Sequence, residues 1–182
     1  MKLRKNYTIQ SELALPYLET PENHIKAIFN TLETGFGLIR NSKQKFIDLG
    51  SGDGRIVMYV GLNYGILSVG YEINPELVKE VLEHKKLLKK EKKYNNKYFR
   101  KIKIKMGDIF TLNLKSYDFI YIYSLPTMHK FLHHVFKTAK PGAIFISYKY
   151  TLDQFDAYLR FEYKIKLRTN DQENYTFFYR MV

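Results

Sequence analysis

Phe46-Ile47-Asp48-Leu49-Gly50-Ser51-Gly52-Asp53-Gly54 is the stretch on which the fold turns. Phe46 to Leu49 reads as the end of a short buried strand. Three glycines in the next five residues let the backbone turn sharply and approach a ligand closely. Ile56, Val57, Met58 and Val60 then begin a helix. A strand, a glycine turn and a helix N-terminus make a cradle of the kind that holds nucleotides in open α/β sheets.

The spacing narrows the choice of ligand. A dinucleotide fingerprint with Gly50 and Gly52 as its first two glycines needs a third at position 55, which is Arg55. Asp48, two residues before the first glycine, repels a diphosphate and attracts a ligand carrying an ammonium and a sulfonium. S-adenosylmethionine has that chemistry. The run Asp48-Leu49-Gly50-Ser51-Gly52-Asp53-Gly54 resembles the first motif of the class I methyltransferases, whose glycine backbone packs against the methionine part of the cofactor. Through that resemblance Gly50, Ser51 and Gly52 are expected to line the cofactor site.

Working downstream, the helix stops at Gly65, and Leu67-Ser68-Val69-Gly70-Tyr71 is a second strand ending in Glu72, which lies 24 residues after Asp48. A carboxylate at the tip of strand two is placed to accept both ribose hydroxyls. Asn74 and Pro75 supply an N-cap and a first helical residue, and Leu77, Val78, Val81, Leu82 and Leu88 give the next helix an apolar stripe. Ile102 and Ile104 alternate with lysines, as in a strand at the edge of a sheet, which leads to Gly107-Asp108-Ile109. In class I methyltransferases an Asp here binds the adenine amino group beside an apolar neighbour, so Asp108 and Ile109 are implied for that role. Tyr117 to Tyr123 is a fourth strand and Ala143 to Tyr150 a fifth. Met128, Phe131, Leu132, Val135 and Phe136 form a helical stripe between them. Phe161 to Leu167, a turn at Asn170-Asp171, and Tyr175 to Val182 read as a terminal hairpin. The sum is a single α/β domain over residues 1–182 with a Rossmann-like, seven-stranded, mostly parallel sheet of the class I methyltransferase type.

Upstream, residues 1–15 lack periodicity, which predicts a mobile N-terminal segment. Thr20 and Pro21 read as N-cap and first residue of a helix over about 21 to 34, with Ile25, Ile28, Phe29 and Leu32 on its apolar face. The segment from Pro16 to Pro21 is similar to the Tyr-Val-Pro-Thr-Pro signature of the small archaeal protein-lysine methyltransferases and the related mitochondrial lysine methyltransferases that act on the ATP synthase c-ring protein and the adenine nucleotide translocase. Here Leu18-Glu19 stands in place of Val-Pro. The resemblance also takes in Asp48 to Val57 and Gly70 to Pro75. It implies that Tyr17 and Thr20 close over the cofactor and that the acceptor is a protein lysine. Tyr123 and Ser124, at the end of strand four, are then candidate lining of the transfer site, with Tyr17, Tyr123 and Tyr148 as aromatic partners of the amine.

Composition bounds the alternatives. The chain has no cysteine, which removes disulfides, thiolate metal sites and cysteine-nucleophile methylation of pyrimidines. His129 and His133 are four apart without the Glu or third ligand of a zinc motif, so no metal is expected. Strand four is not followed by the Asn/Asp-Pro-Pro-aromatic pattern of adenine amino-methylating enzymes. No apolar run is long enough to span a bilayer, and Met1-Lys2-Leu3-Arg4-Lys5 has no apolar region behind it, which points to a cytoplasmic protein, read as a monomer. Lys85 to Lys105 carries eleven cations against Glu91 alone, a local excess of ten in a chain of net charge +12. That segment is either a solvated face or a surface for an anionic partner such as nucleic acid. It keeps an RNA methyltransferase, or a non-catalytic protein binding S-adenosylmethionine or nucleic acid, open beside the lysine reading.

Overall fold

A computed structural model describes residues 19–91, 94–169 and 172–182. The N-terminal segment, Lys92, Lys93 and the Asn170-Asp171 turn lie outside the described residues. The elements in chain order are α1 (Glu22–Gly35), β1 (Lys45–Leu49), α2 (Arg55–Tyr64), β2 (Leu67–Glu72), α3 (Pro75–Lys90), α4 (Asn96–Phe99), β3 (Ile102–Met106), β4 (Phe119–Ile122), α5 (Pro126–His129), α6 (His133–Phe136), β5 (Ile144–Tyr148), β6 (Leu159–Thr169) and β7 (Gln172–Met181), with 3-10 turns at Ile109–Thr111 and Asp153–Phe155. The seven strands form one sheet in the order β3-β2-β1-β4-β5-β7-β6. Five strands are parallel, and the β6–β7 hairpin joins antiparallel through β7 to β5. This is the expected class I methyltransferase sheet.

Strand alternation divides the core between the two faces. Phe46, Phe119, Ile144 and Ile146 face α1 and α2, where Ile25, Ile28, Phe29, Leu32, Ile56 and Val60 bury their side chains. Ile47, Leu49, Ile120, Ile122 and Phe145 face Leu132, Val135, Phe136 and Phe155 on the other side. Consecutive strand residues serve opposite layers, so near-continuous apolar runs are what a doubly covered parallel sheet requires.

Four local expectations are corrected. Pro21, whose side chain has no polar atom to cap with, stands at the N-cap of α1 in place of Thr20, and the Thr20 hydroxyl bonds Tyr121 instead. The stripe from Met128 to Phe136 is two four-residue helices, because Phe131 and Leu132 bond three residues back and tighten the chain between them. The fourth strand runs only from Phe119 to Ile122. Of the stripe on α3, Val81 alone is fully buried, Leu77, Val78 and Leu88 are half-buried, and Leu82 is exposed. Two helix-end signals hold. Asn74 caps α3 by accepting from the Glu76 N–H at 2.9 Å, and Gly65 ends α2 at a φ of 61°.

Candidate active site

The chain runs outward from β1 to β2 and β3, then returns to β4 on the other side of β1. That reversal opens a crevice between the carboxyl ends of β1 and β4, where open α/β sheets bind ligands. A cavity of about 580 Å³ occupies it. In the β1–β4 register Asp48 stands beside Tyr121.

The floor is the glycine turn. Gly50, Gly52 and Gly54 all have positive φ, at 85°, 50° and 69°. The Gly50 and Ser51 N–H groups donate to the Tyr71 carbonyl at 3.0 and 2.9 Å, which ties the turn to β2. Glu72 completes the tie. One of its oxygens accepts from the Gly52 N–H at 2.9 Å, and the other accepts from the Ile73 and Asn74 N–H groups, each at 2.9 Å. Of the roughly four lone-pair sites on a carboxylate, three are occupied, so Glu72 braces the turn as well as facing the cavity.

The cavity is acidic. Glu19, Asp48, Asp53, Glu72 and Glu76 line it against Arg55 as the single lining cation, and Arg55 is engaged by Asp53 and Glu19. Asp48 is 3% exposed. Burial, reinforced by the charges of Glu72 and Asp53, pushes its carboxyl well above the usual carboxylate range. A cation placed here recovers the Coulomb energy that these carboxylates lose to one another.

A further stretch of the lining follows the end of β4. Tyr123, Ser124, Leu125 and Met128 line the cavity. The Tyr123 ring stands edge-on to Tyr148 with centroids 4.8 Å apart, and 6.3 Å from Tyr150. Burial raises the Tyr123 phenol above its ordinary value and pushes Tyr148 up to about 12. His129 is fully buried, with Nε2 3.2 Å from the Ser124 carbonyl, and burial holds it below the ordinary imidazole value. No cluster of three metal-ligating side chains occurs among the described residues.

Most of the site residues expected from sequence meet at this crevice. Thr20, Asp48, Gly50, Ser51, Gly52, Glu72, Ile109, Tyr123 and Ser124 all line the cavity. Asp108 does not. Its side chain accepts from the Phe110 N–H at 2.9 Å and caps the 3-10 turn that sets Ile109 and Phe110 in the wall. Tyr17 lies outside the described residues. Sequence reasoning misses Tyr121, which is fully buried, lines the cavity, and binds Thr20 Oγ1 through its hydroxyl at 2.7 Å. In sequence it is one aromatic in a buried strand, and its partner is 101 residues away.

S-adenosylmethionine fits what is present. A side chain added at Gly50 would meet nothing within 4 Å, so the turn leaves open space where ligand backbone contacts are expected. Ser51 and Ser124 also line the cavity, while their hydroxyl oxygens are buried away from it, that of Ser51 against Gly70. The acidic floor suits a doubly cationic methionine moiety.

Comparison with known proteins agrees. The chain is 21% identical to an RNA methyltransferase from Salinibacter ruber in complex with S-adenosyl-L-homocysteine, with a TM-score of 0.72 over 90% of this chain and 94% of that one. The magnesium protoporphyrin IX methyltransferase from Synechocystis PCC 6803, with bound cofactor, gives 15% identity and a TM-score of 0.67 over 88% and 79%. At these identities the likeness is one of fold. The ATP synthase c-subunit lysine N-methyltransferase of Xenopus laevis is 37% identical over 67 residues, which span 37% of this chain and 26% of that protein. The family model of the ANTKMT methyltransferase domain matches residues 48–158, more than half of the sequence, and the chain belongs to that family of class I methyltransferases with S-adenosylmethionine as cofactor.

Proposed function

We propose that the chain methylates lysine ε-amines of proteins, with Asp48, Gly50, Ser51, Gly52 and Glu72 holding the cofactor, Thr20 and Ile109 flanking it, and Tyr123 and Ser124 receiving the acceptor. The observation that carries this reading is the tyrosine group at the end of β4 and β5, set against an otherwise acidic cavity. Ring faces and carboxylates both favour an amine that is cationic before and after reaction. The partial match to a lysine N-methyltransferase supports the same assignment.

When bound, the cofactor supplies a methyl group on a positively charged sulfur. Attack by the amine lone pair forms a nitrogen–carbon bond, breaks the sulfur–carbon bond and leaves the amine with a proton to lose to water. The lysine drawn in as an ammonium must therefore shed its proton before it attacks, and the neutral state is held by only about one side chain in 2,500 at pH 7 in free solution. Desolvation at the Tyr123 wall raises that fraction. The Tyr123 phenol, neutral at pH 7 and raised further by burial, can accept one amine N–H. That bond helps aim the lone pair away from the wall. Positioning of this kind supplies rate without a dedicated base.

The test is incubation with tritiated cofactor and cell extract, divided between nuclease and protease. The lysine reading expects label that survives nuclease, is lost to protease, and maps by mass spectrometry to lysine. The basic segment favours RNA as the second reading, and label lost only to nuclease would establish it. Cofactor binding is tested separately: Glu72→Ala removes the brace of the glycine turn and should weaken calorimetric affinity more than tenfold, since hydrogen bonds to a charged group are worth about 1.5–3 kcal/mol each.

A further inference from the structure

Among the described residues two that are not glycine have left-handed backbone, Asn41 at φ 58° and Lys149 at φ 72°. Asparagine adopts that conformation readily and lysine does not. Lys149 follows directly on β5, at the carboxyl end of the sheet, between the two tyrosines that contact Tyr123. Two bonds hold the turn. The Lys149 N–H donates to the Tyr175 carbonyl at 2.7 Å, and the Ser147 hydroxyl donates to the Tyr150 carbonyl at 2.6 Å. Glycine at position 149 would relieve the strain and keep both. The lysine side chain gives nothing back within the chain: it is exposed, and it forms no ion pair among the described residues. Continuing the β4–β5 register past Ile122 and Ser147 puts Lys149 level with Ser124, a lining residue of the cavity, although Lys149 itself does not line it.

We propose that Lys149 is a specificity-determining residue whose ammonium pairs with a carboxylate next to the target lysine, so that the preferred substrates carry Asp or Glu beside the methylated residue. The proposal rests on the protein-lysine reading above. A strained cation beside the Ser124 end of an acidic cavity, with no ion-pair partner among the described residues, sorts substrates by their charge pattern. The target amine goes to the acidic interior, and the neighbouring acid stays with Lys149. A lysine flanked by further lysines meets like charge at Lys149 and is disfavoured.

The experiment uses two synthetic peptides that differ only in Glu or Gln next to a single lysine. They are compared at low and high salt with the wild-type chain, Lys149→Gly and Lys149→Glu. Wild type should prefer the Glu peptide in kcat/KM by about two- to fivefold at low salt, the range of one partly exposed ion pair, and less at high salt. Lys149→Gly should raise the melting temperature and bring the ratio to one, while Lys149→Glu should invert it. A purely structural role predicts a change in melting temperature with the ratio intact. Wild type that labels both peptides equally, or Lys149→Gly that keeps the preference, overturns the inference and leaves the lysine reading standing. Wild type that labels neither peptide removes both.

Discussion

At the scale of single residues, Asp48 shows how the site is held ready at a cost to the empty protein. Its carboxyl is raised above the unfolded value of about 3.9, first by burial and then by Glu72 and Asp53. The folded chain therefore binds a proton at Asp48 more tightly than the unfolded chain does. The stability this gives is complete below the unfolded value and is lost as pH rises from there through the folded one. Asp48→Asn should accordingly melt higher than wild type near neutral pH and no higher in acid, as thermal scans across pH would show. Cofactor affinity should move the opposite way, rising with pH for wild type as the carboxyl ionises and staying flat for Asp48→Asn. Asp48 was legible because a carboxylate just before a glycine turn has a local meaning. Tyr121 was not, since its role depends on Thr20 across 101 positions and on the β1–β4 register. Asp108 lies between these cases: a Gly-Asp pair reads equally well as a site or a turn, and here its side chain caps the 3-10 turn.

Between elements, close approach matters more than propensity. Gly61 on α2 packs against β3 so tightly that an added Cβ would lie 2.3 Å from Ile102 Cγ1. Gly61→Ala should cost about 1–3 kcal/mol by overpacking, measured by urea unfolding. Ile102→Ala alone leaves a cavity and costs about 2–5 kcal/mol. The double variant should cost less than the sum, because each change makes room for the other. Strict additivity would mean that the helix shifts away from the strand instead. The same reasoning explains what was readable of the elements. α1, α2 and all seven strands declare themselves by apolar period and glycine punctuation. The break between α5 and α6 does not, because the stripe from Met128 to Phe136 stays helical in period while three-residue bonds at Phe131 and Leu132 reset the backbone. The stripe on α3 misled for another reason. At the sheet's edge there is less core to cover it, so Val81 is buried and Leu82 stays 37% exposed.

Across the whole molecule, charge is sorted into regions. The cavity is lined by carboxylates, and the ion pairs among the described residues involve Lys26, Arg40, Arg55, Lys140, Arg160, Lys166 and Arg180, none of them between Lys85 and Lys105. The described cations of that segment sit on α3, on α4, in the turn at Arg100-Lys101 and on the edge strand β3, without carboxylate partners of their own among the described residues. Lys85 reports the crowding: burial, together with the charges of Lys103 and Lys89, holds its ammonium below the ordinary lysine value. An edge strand studded with lysine also resists pairing with another sheet. That protective role predicts exposed charge and no partner, whereas a docking role predicts binding that depends on salt. Replacing Lys86, Lys89, Lys90 and Lys103 with Gln removes four exposed cations and spares Lys85, whose ammonium donates to the Ile102 carbonyl at 2.7 Å. On a short neutral peptide the variant should keep the wild-type kcat, because none of the four lines the cavity. With an anionic polymer such as heparin or RNA it should bind more weakly at low salt, and its salt slope should fall by about one unit for each phosphate it no longer neutralises. If affinity for the polymer is unchanged while the variant aggregates on concentration, the lysines guard the strand edge instead of recruiting a partner.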